Sequence, residues 1–219
     1  MMRTLVDTAA EGRRPGLALA LLSGTYSEPE DFVREGFPAA VRSHGIEADI
    51  VMAGVSAAHF ADGSIVERIR SHVVLPARER GCERIWLVGI SLGGLAALSF
   101  AARHEDDLDG IVLLAPYPAT RDLLREVDAA GGLAQWKSQG HAGEGDLERE
   151  AWSWLAGARA HRLPVHCYLA SGDRFASGQR RMGEALDERR VHELPGGHDW
   201  SSWGRMWQAF LDESKGALQ

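Results

Sequence analysis

The chain has 219 residues, of which 45% are hydrophobic and 25% are charged, a composition typical of one globular domain with a single core. Its formal net charge of −7, without a basic stripe, argues against a nucleic-acid partner, and no apolar run reaches the roughly 20 residues that a membrane span requires. The cysteines Cys82 and Cys167 lack metal-ligand spacing, and no signal-peptide pattern is present, so we expect a reduced, cytoplasmic location.

The predicted elements alternate between strands and helices. A continuous apolar run at 16–22 (GLALALL) is typical of a strand that is covered on both faces. Asp62 is predicted to cap a helix, and Pro76 should bend this helix or end it early. In chain order the other predicted elements are a short strand in TLVDT, a helix from about 29 to 44, a strand at 47–55, a helix from 62 toward 81, a strand at 84–89, a helix at 92–104, strands at 109–115 and 163–170, a helix at 176–187, a strand at 189–194 and a helix from 199 to about 211.

This alternation predicts an α/β fold. Repeated strand–helix–strand units favour a mainly parallel central sheet of about six to seven strands, with helices on both faces, within a single domain of residues 1–219. In such sheets, ligands bind at the carboxyl ends of the strands. Residues that directly follow a strand are therefore the first candidates for a functional site.

One interval, residues 116–162, is too long for a plain connection between strands, and we call it the insertion segment. It is predicted to form a small helical cap, and its glycines at 131, 132, 140, 143 and 145 would let it move. Its tryptophans Trp136, Trp152 and Trp154 most simply pack it onto the body of the protein. However, Trp152 and Trp154 are two residues apart on a predicted helix, so one is expected to pack in the core and the other to line a binding pocket. The tryptophans at 200, 203 and 207 form a stripe along the last predicted helix and are expected to pack in the core.

A serine stands at the junction between an apolar strand and a helix in IWLVGISLGGLAAL. The pattern Gly-x-Ser-x-Gly is weak alone, but the strand–turn–helix context is that of a nucleophile elbow. Glycines at 89 and 93 would remove Cβ atoms that collide with the neighbouring elements, and the amide of Leu92 would point toward a developing oxyanion. Ser91 is therefore the candidate nucleophile, with a Gly-Ser turn without chemistry as the alternative.

A base must accept the serine proton, and His198 is the candidate among nine histidines. It stands in LPGGHDW, in a loop directly after the last predicted strand, where Pro195, Gly196 and Gly197 free the backbone. The other histidines fall in predicted helices, helix ends, the insertion segment or strand interiors. A surface or helix-capping histidine is the alternative role.

Asp173 is the candidate acid, because it follows the strand at 163–170 directly in YLASGDRF. Asp199 is adjacent to the histidine, but neighbouring side chains diverge, so we expect Asp199 to cap the last helix. Asp122, after the preceding strand, is the alternative acid.

Together these motifs resemble the α/β-hydrolase superfamily over residues 16–211. The segments GISLGG, SGDRF and PGGHDW match its nucleophile, acid and histidine in order, and PGGHDWSSW is similar to the histidine segment of esterase-D-like enzymes. The family often has His-Gly after its third strand, whereas this chain has Ser23-Gly24-Thr25. By position, the resemblance implies that Thr25, or else Tyr26, supplies the second oxyanion amide. It also implies that one or two N-terminal strands of the usual eight are missing.

The expected function is a serine hydrolase of carboxylic esters or thioesters that works through an acyl-enzyme on Ser91, His198 and Asp173, with a small-molecule substrate. Acyl transfer or peptide cleavage would use the same groups, and a non-catalytic binding protein on the same fold is a further alternative. The sequence contains no metal-ligating motif, phosphate-binding loop or dinucleotide fingerprint, so no cofactor is expected.

Overall fold

The computed structural model describes residues 2–9, 16–138 and 145–218. Its centre is one seven-stranded sheet in the order β1-β3-β2-β4-β5-β6-β7, in which only β1 pairs antiparallel to its neighbour. The strands are β1 (Thr4–Asp7), β2 (Leu17–Leu22), β3 (Asp49–Ala53), β4 (Arg84–Ile90), β5 (Gly110–Leu114), β6 (Val165–Ala170) and β7 (Val191–Leu194). The mainly parallel sheet predicted from the sequence, including the short strand in TLVDT, is confirmed.

Helices cover both faces of the sheet. The described α-helices are α1 (Pro29–Arg34), α2 (Phe37–Ser43), α3 (Ala57–Ala61), α4 (Ile65–Ile69), α5 (Leu75–Glu79), α6 (Leu92–His104), α7 (Arg121–Ala129), α8 (Leu133–Ser138), α9 (Leu147–Leu155), α10 (Ala176–Gly183) and α11 (Trp200–Leu218). None of the helices in these ranges is both long and apolar enough to cross a membrane.

Four predicted helices differ from the observed ones, and one of them, expected at 176–187, ends at Gly183. The helix expected at 29–44 is broken into α1 and α2 at Gly36, whose φ of 77° is a left-handed conformation that glycine adopts without steric cost. The helix expected to begin at Asp62 begins at Ile65, with Ser64 as its N-cap, while Asp62 ends α3. The closing helix continues to Leu218, because Leu218 is itself buried in the core.

Pro76 neither ends nor breaks its helix. The segment Arg70–Val74 between α4 and α5 is a π-helix, and Pro76 lies in the first turn of α5. A wider turn accommodates a proline ring that would clash with a carbonyl of the preceding turn and that offers no amide hydrogen. The helical backbone therefore continues past Pro76 with a local change of pitch.

The two faces of the sheet bury separate cores, because successive side chains of a strand point to opposite faces. In β4, Ile85 and Leu87 pack with α4, α5 and α6 on one face, while Trp86 and Val88 pack with α2 and α11 on the other. The central strands β2, β3 and β5 are buried along their whole length. This burial on both faces explains the continuous apolar sequences of β2 and β5.

The insertion segment packs against the first of these cores through α9, which lies along α6. All three of its tryptophans are buried there, and the indole nitrogens of Trp152 and Trp154 donate to the Pro118 carbonyl and to the Glu105 carboxylate. The prediction that one of Trp152 and Trp154 lines a pocket is wrong. Trp152 points toward Pro118, and Trp154 points toward Glu105 and the ring of His161, so both directions lead into protein. Gly140 and Gly143, which were expected to confer mobility, lie outside the described residues.

Candidate active site

The turn between β4 and α6 holds Ser91 at the carboxyl edge of the sheet. Its φ of 50° and ψ of −115° form a strained conformation that costs about 1–3 kcal/mol and persists only where the surroundings impose it. The Ser91 amide donates to the Leu114 carbonyl, and the Ser91 carbonyl accepts from the amides of Gly94 and Tyr117. The turn is therefore tied to β5 on one side and to its own helix on the other.

Glycine is required at two positions of this turn because other backbone lies directly against them. A Cβ at Gly89 would overlap the carbonyl of Gly93, and a Cβ at Gly93 would overlap the carbonyl of Leu22 in β2. The sequence-based explanation of these two glycines is confirmed. Close approach of β2, β4 and α6 is what brings the serine side chain to the edge of the sheet.

His198 lies between Ser91 and Asp173. Its Nε2 is 2.9 Å from Ser91 Oγ, and its Nδ1 is 2.6 Å from Asp173 Oδ2. An ionised carboxylate can only accept, so Nδ1 carries the hydrogen, which leaves Nε2 as an acceptor for the Ser91 hydroxyl. The structure thus brings the three predicted residues into one hydrogen-bonded chain, although they follow three different strands.

Asp173 is buried, and its carboxylate is well supplied with donors. Burial raises the pKa of Asp173, but hydrogen bonds from His198, the Phe175 amide and the Gln179 side chain together outweigh burial and hold the pKa below its usual value. Oδ1 accepts from the Phe175 amide at 2.8 Å, and Oδ2 accepts from Gln179 Nε2 at 2.9 Å. Asp173 is therefore ionised at neutral pH and has a fixed orientation.

Two aromatic rings hold the imidazole of His198 in place. The rings of Phe175 and Trp203 meet it edge to face, with centroids 5.1 Å and 5.2 Å away and interplanar angles of 81° and 89°. The loop before it is closed by a hydrogen bond from the Gly197 amide to Ser202 Oγ. The orientation of the ring thus depends on β6 and on α11 as well as on Asp173.

The alternative acids lie elsewhere. Asp199 accepts from the Ser202 amide at 2.9 Å and so caps the start of α11, as its position in the sequence predicted. Asp122 is on an exposed part of α7, where its side chain is 87% exposed and pairs with Arg125. Neither carboxylate is in contact with His198.

Two segments of backbone lie beside Ser91 where an oxyanion would form. Leu92 is the first residue of α6, so its amide has no partner one turn earlier in the helix. On the other side, a Cβ built at Gly24 would be 3.3 Å from the Cβ of Ser91, so the loop that carries Thr25 and Tyr26 lies directly against the serine. Tyr26 has a φ of 65°, and its side chain is fully exposed.

This loop is anchored by Ser23, which is fully buried. Its Oγ accepts from the Val55 amide at 3.0 Å and lies 3.2 Å and 3.0 Å from the carbonyl oxygens of Gly24 and Ser27. The Ser27 amide also donates to the Gly24 carbonyl. A serine side chain therefore sets the shape of the loop from within the protein.

A cavity of about 810 Å³ opens at Ser91 and His198. Its lining comes from α3, the loop at 24–26, Leu92 and Leu95 of α6, residues 145–148 with Tyr117 from the insertion segment, and Arg174, Phe175 and Trp203 near His198. Trp203 was expected to be core only; it is 7% exposed and both packs in the core and lines this cavity. Within the described ranges, no three His, Cys, Asp or Glu side chains are grouped so that they could hold a metal ion.

Sequence reasoning missed Gln179 and Phe175. Phe175 stands within the SGDRF motif, two residues after the acid, where a turn returns its amide to the carboxylate. Gln179 is completely buried on α10, six positions after Asp173 in the sequence. No sequence pattern identifies this glutamine, on a polar helix, as a partner of Asp173, because its role depends on how α10 packs against β6.

Comparison with protein families gives one match. The model of the family described as serine aminopeptidase, S33 matches residues 59–176, more than half of the chain, and this range includes Ser91 and Asp173. His198 lies beyond it. No curated protein matches the chain in sequence.

Several solved structures have the same fold. The chain is similar to Est1E from Butyrivibrio proteoclasticus, with a TM-score of 0.68, 12% identity and coverage of 98% of this chain and 95% of that one. It is similar to a monoacylglycerol lipase from Paleococcus ferrophilus, with a TM-score of 0.64, 16% identity and coverage of 100% of both chains. It is also similar to an S-formylglutathione hydrolase from Staphylococcus aureus, with a TM-score of 0.61, 16% identity and coverage of 90% of this chain and 80% of that one. At these identities the similarity concerns the fold, and the predicted α/β-hydrolase fold is confirmed.

Proposed function

This chain belongs to the serine aminopeptidase S33 family of α/β-hydrolases, and we propose that it is a serine hydrolase that cleaves carboxylic esters or thioesters through an acyl-enzyme. The observation that carries the proposal is the chain of hydrogen bonds from Ser91 Oγ through His198 to Asp173, which opens onto the cavity of about 810 Å³. A hydroxyl hydrogen-bonded to an oriented imidazole, beside a space for substrate, is the arrangement that activates serine as a nucleophile.

In the first half-reaction, Ser91 Oγ forms a bond to the carbonyl carbon of the substrate while its proton passes to Nε2 of His198. The carbonyl oxygen becomes an oxyanion, stabilised by the amide of Leu92 and by that of Thr25. When the carbonyl reforms, the bond to the leaving oxygen or sulfur breaks, and His198 gives its proton to the leaving group. An alcohol or thiol departs, and the acyl group remains on Ser91.

In the second half-reaction, His198 accepts a proton from water, whose oxygen attacks the acyl carbon. The bond from the acyl carbon to Ser91 Oγ then breaks, His198 returns the proton to Ser91, and a carboxylic acid is released. Asp173 holds the Nδ1 hydrogen throughout and stabilises the positive charge that the imidazole carries between the two transfers. The lowered pKa of Asp173 supports this role, because only the ionised carboxylate stabilises that charge.

Ester or thioester cleavage is favoured over other acyl chemistry by the similar structures, which by name include a monoacylglycerol lipase and an S-formylglutathione hydrolase. Removal of an amino-terminal residue is the second candidate. The family description supports it, and the carboxylates of Asp146 and Glu148 line the cavity, where a substrate ammonium would be attracted. Both carboxylates already have partners, since Asp146 pairs with Arg149 and Glu148 accepts from the Thr120 amide.

We propose that the insertion segment, part of one domain of residues 1–219, acts as the cap of this cavity.

The test compares Ser91→Ala with Ser99→Ala, the same change at a buried serine on the same helix that bonds only to backbone. With short-chain p-nitrophenyl esters, Ser91→Ala should lower kcat by roughly 10⁴–10⁶-fold and abolish labelling by a fluorophosphonate, while Ser99→Ala keeps both. Ester turnover by folded Ser91→Ala at near the parent rate would refute the assignment. A folded parent protein that neither turns over esters nor is labelled would favour a binding protein, and parent activity confined to aminoacyl amides would favour the aminopeptidase.

A further inference from the structure

Helix α3 is short and apolar, with the sequence AAHFA, and none of its residues is buried in the protein. Yet Ala57, Phe60 and Ala61 line the same cavity as Ser91 and His198. These positions are spaced i, i+3 and i+4, so they form one face of the helix. We call this face the α3 wall. It is an apolar surface that the folded chain leaves facing the cavity, where an apolar group would remove it from water.

The order of the strands decides which part of a substrate meets this wall. Ser91 follows β4, α3 follows β3 on one side of it, and Asp173 and His198 follow β6 and β7 on the other side. His198 must reach the leaving atom to protonate it, so the leaving group lies on the β6–β7 side, beside Phe175 and Trp203. The acyl group then extends toward β3, over Leu92 and Leu95 of α6 and onto the α3 wall.

The charges that line the cavity favour an uncharged acyl group. They are the carboxylates of Asp146 and Glu148, at the start of α9, and the guanidinium of Arg174, which directly follows Asp173 on the leaving-group side and lies 4.8 Å over the Phe175 ring. Leu147, between the two carboxylates, packs in the core cluster that contains Leu95. Asp146 pairs with Arg149, Glu148 accepts from the Thr120 amide, and Arg174 follows Asp173 on the leaving-group side. An acyl chain ending in a carboxylate would therefore lie against the apolar α3 wall and the leucines of α6 without a cation to pair with it.

We propose that the acyl group of the substrate is neutral and apolar, and that the α3 wall, rather than the insertion segment, sets its size. This inference rests on the proposed hydrolase function, whose site it deepens. The side chains at 57 and 61 are methyl groups, so the wall leaves room for an acyl chain, and a larger side chain at either position would occupy that room. Phe60, the third residue of the wall, also packs in part against the first core.

The experiment places a phenyl ring on α3 at three positions. Ala57→Phe and Ala61→Phe fill the cavity, and Ala58→Phe is the matched control, an exposed alanine on the same helix that does not line it. Each protein is assayed with p-nitrophenyl esters from acetate to decanoate, so that the leaving group stays constant. For Ala57→Phe and Ala61→Phe, kcat/KM should fall by about tenfold or more for octanoate and longer esters relative to acetate, while Ala58→Phe keeps the parent profile. Phe60→Ala should shift the preference toward longer chains.

Two further measurements test the orientation and the charge. A series of acetate esters with different leaving groups should give the same order of rates in Ala57→Phe as in the parent protein. The parent protein should hydrolyse p-nitrophenyl pentanoate about tenfold or more faster than the corresponding hemisuccinate, whose acyl chain ends in a carboxylate.

The inference is overturned if Ala57→Phe and Ala61→Phe give the acyl-length profile of Ala58→Phe, if they change leaving-group preference instead, or if the hemisuccinate is preferred. The proposed function is judged separately by acetate turnover and by fluorophosphonate labelling of Ser91 in the parent protein. If both are present, the acyl-length profile alone decides. If both are absent, the proposed function fails, and the inference that rests on it fails with it.

Discussion

Replacing Gln179 with leucine should weaken the proposed reaction without blocking the cavity. Gln179 is fully buried and does not line the cavity, yet its Nε2 donates to Asp173 Oδ2 at 2.9 Å and to the Pro116 carbonyl at 3.2 Å. Leucine has a similar volume and no donor. The change therefore removes one of the three donors that hold the Asp173 carboxylate, while the His198 and Phe175 hydrogen bonds remain.

The expected size of the effect follows from the type of hydrogen bond. A bond to a charged group contributes about 1.5–3 kcal/mol, which corresponds to roughly a 10–100-fold fall in kcat if it acts mainly in orienting and ionising Asp173. KM should stay within about threefold, because no cavity wall is altered. The unfolding free energy should also fall by about 1–3 kcal/mol, since Asp173 and the Pro116 carbonyl each lose a partner.

The assay is p-nitrophenyl ester turnover between pH 5 and pH 9, together with thermal unfolding. Gln208→Leu on the exposed side of α11 is the matched control and should change neither. Gln179→Glu is the decisive second variant: it keeps the shape but places a second carboxyl group against Asp173, so it should reduce kcat at neutral pH more than Gln179→Leu does. If Gln179→Leu lowers only the melting temperature and leaves kcat unchanged, or if Gln179→Glu keeps parent activity, donation to Asp173 has no part in the reaction.

Three other changes have defined outcomes. Asp173→Asn should lower kcat far more than Asp122→Asn, measured by ester turnover, and the reverse order would return the acid assignment to the segment after β5. Burial, with the nearby charges of Arg190 and His192, lowers the pKa of His166 to about 4. Between about pH 6.5 and pH 4 the unfolded chain therefore binds a proton at this residue that the folded protein does not bind, so up to about 3 kcal/mol of stability should be lost as the pH falls through this range. His166→Phe should reduce this loss in thermal unfolding scans. Trp152→Phe removes the indole donor to the Pro118 carbonyl and should lower the unfolding free energy by about 1–3 kcal/mol; a change in acyl-length preference instead would return Trp152 to the cavity wall.

The sequence by itself was sufficient for the features that depend on neighbouring residues. Strand β4, the turn at Ser91 and helix α6 follow from an apolar run, glycines at 89 and 93 and a run of helix formers, and the observed helix has the predicted bounds. The mainly parallel sheet of about six to seven strands also follows, because continuous apolar strands that alternate with helices have few ways to bury both faces of a sheet. The site candidates were accessible for the same reason, since each directly follows a strand.

The tertiary structure decided which side chains meet. The position of Asp173 directly after a strand favoured it over Asp122, but the contact of its carboxylate with His198 is a tertiary one, and no pattern marks Gln179 as the donor behind Asp173. The same holds for the cavity wall. The two-residue spacing of Trp152 and Trp154 predicted that one would face the cavity, but both are buried against other parts of the chain, while the segment AAHFA faces the cavity. Backbone conformation is set by residues close in sequence, whereas contact between side chains depends on how elements far apart in the chain pack together, and that packing is a property of the whole fold.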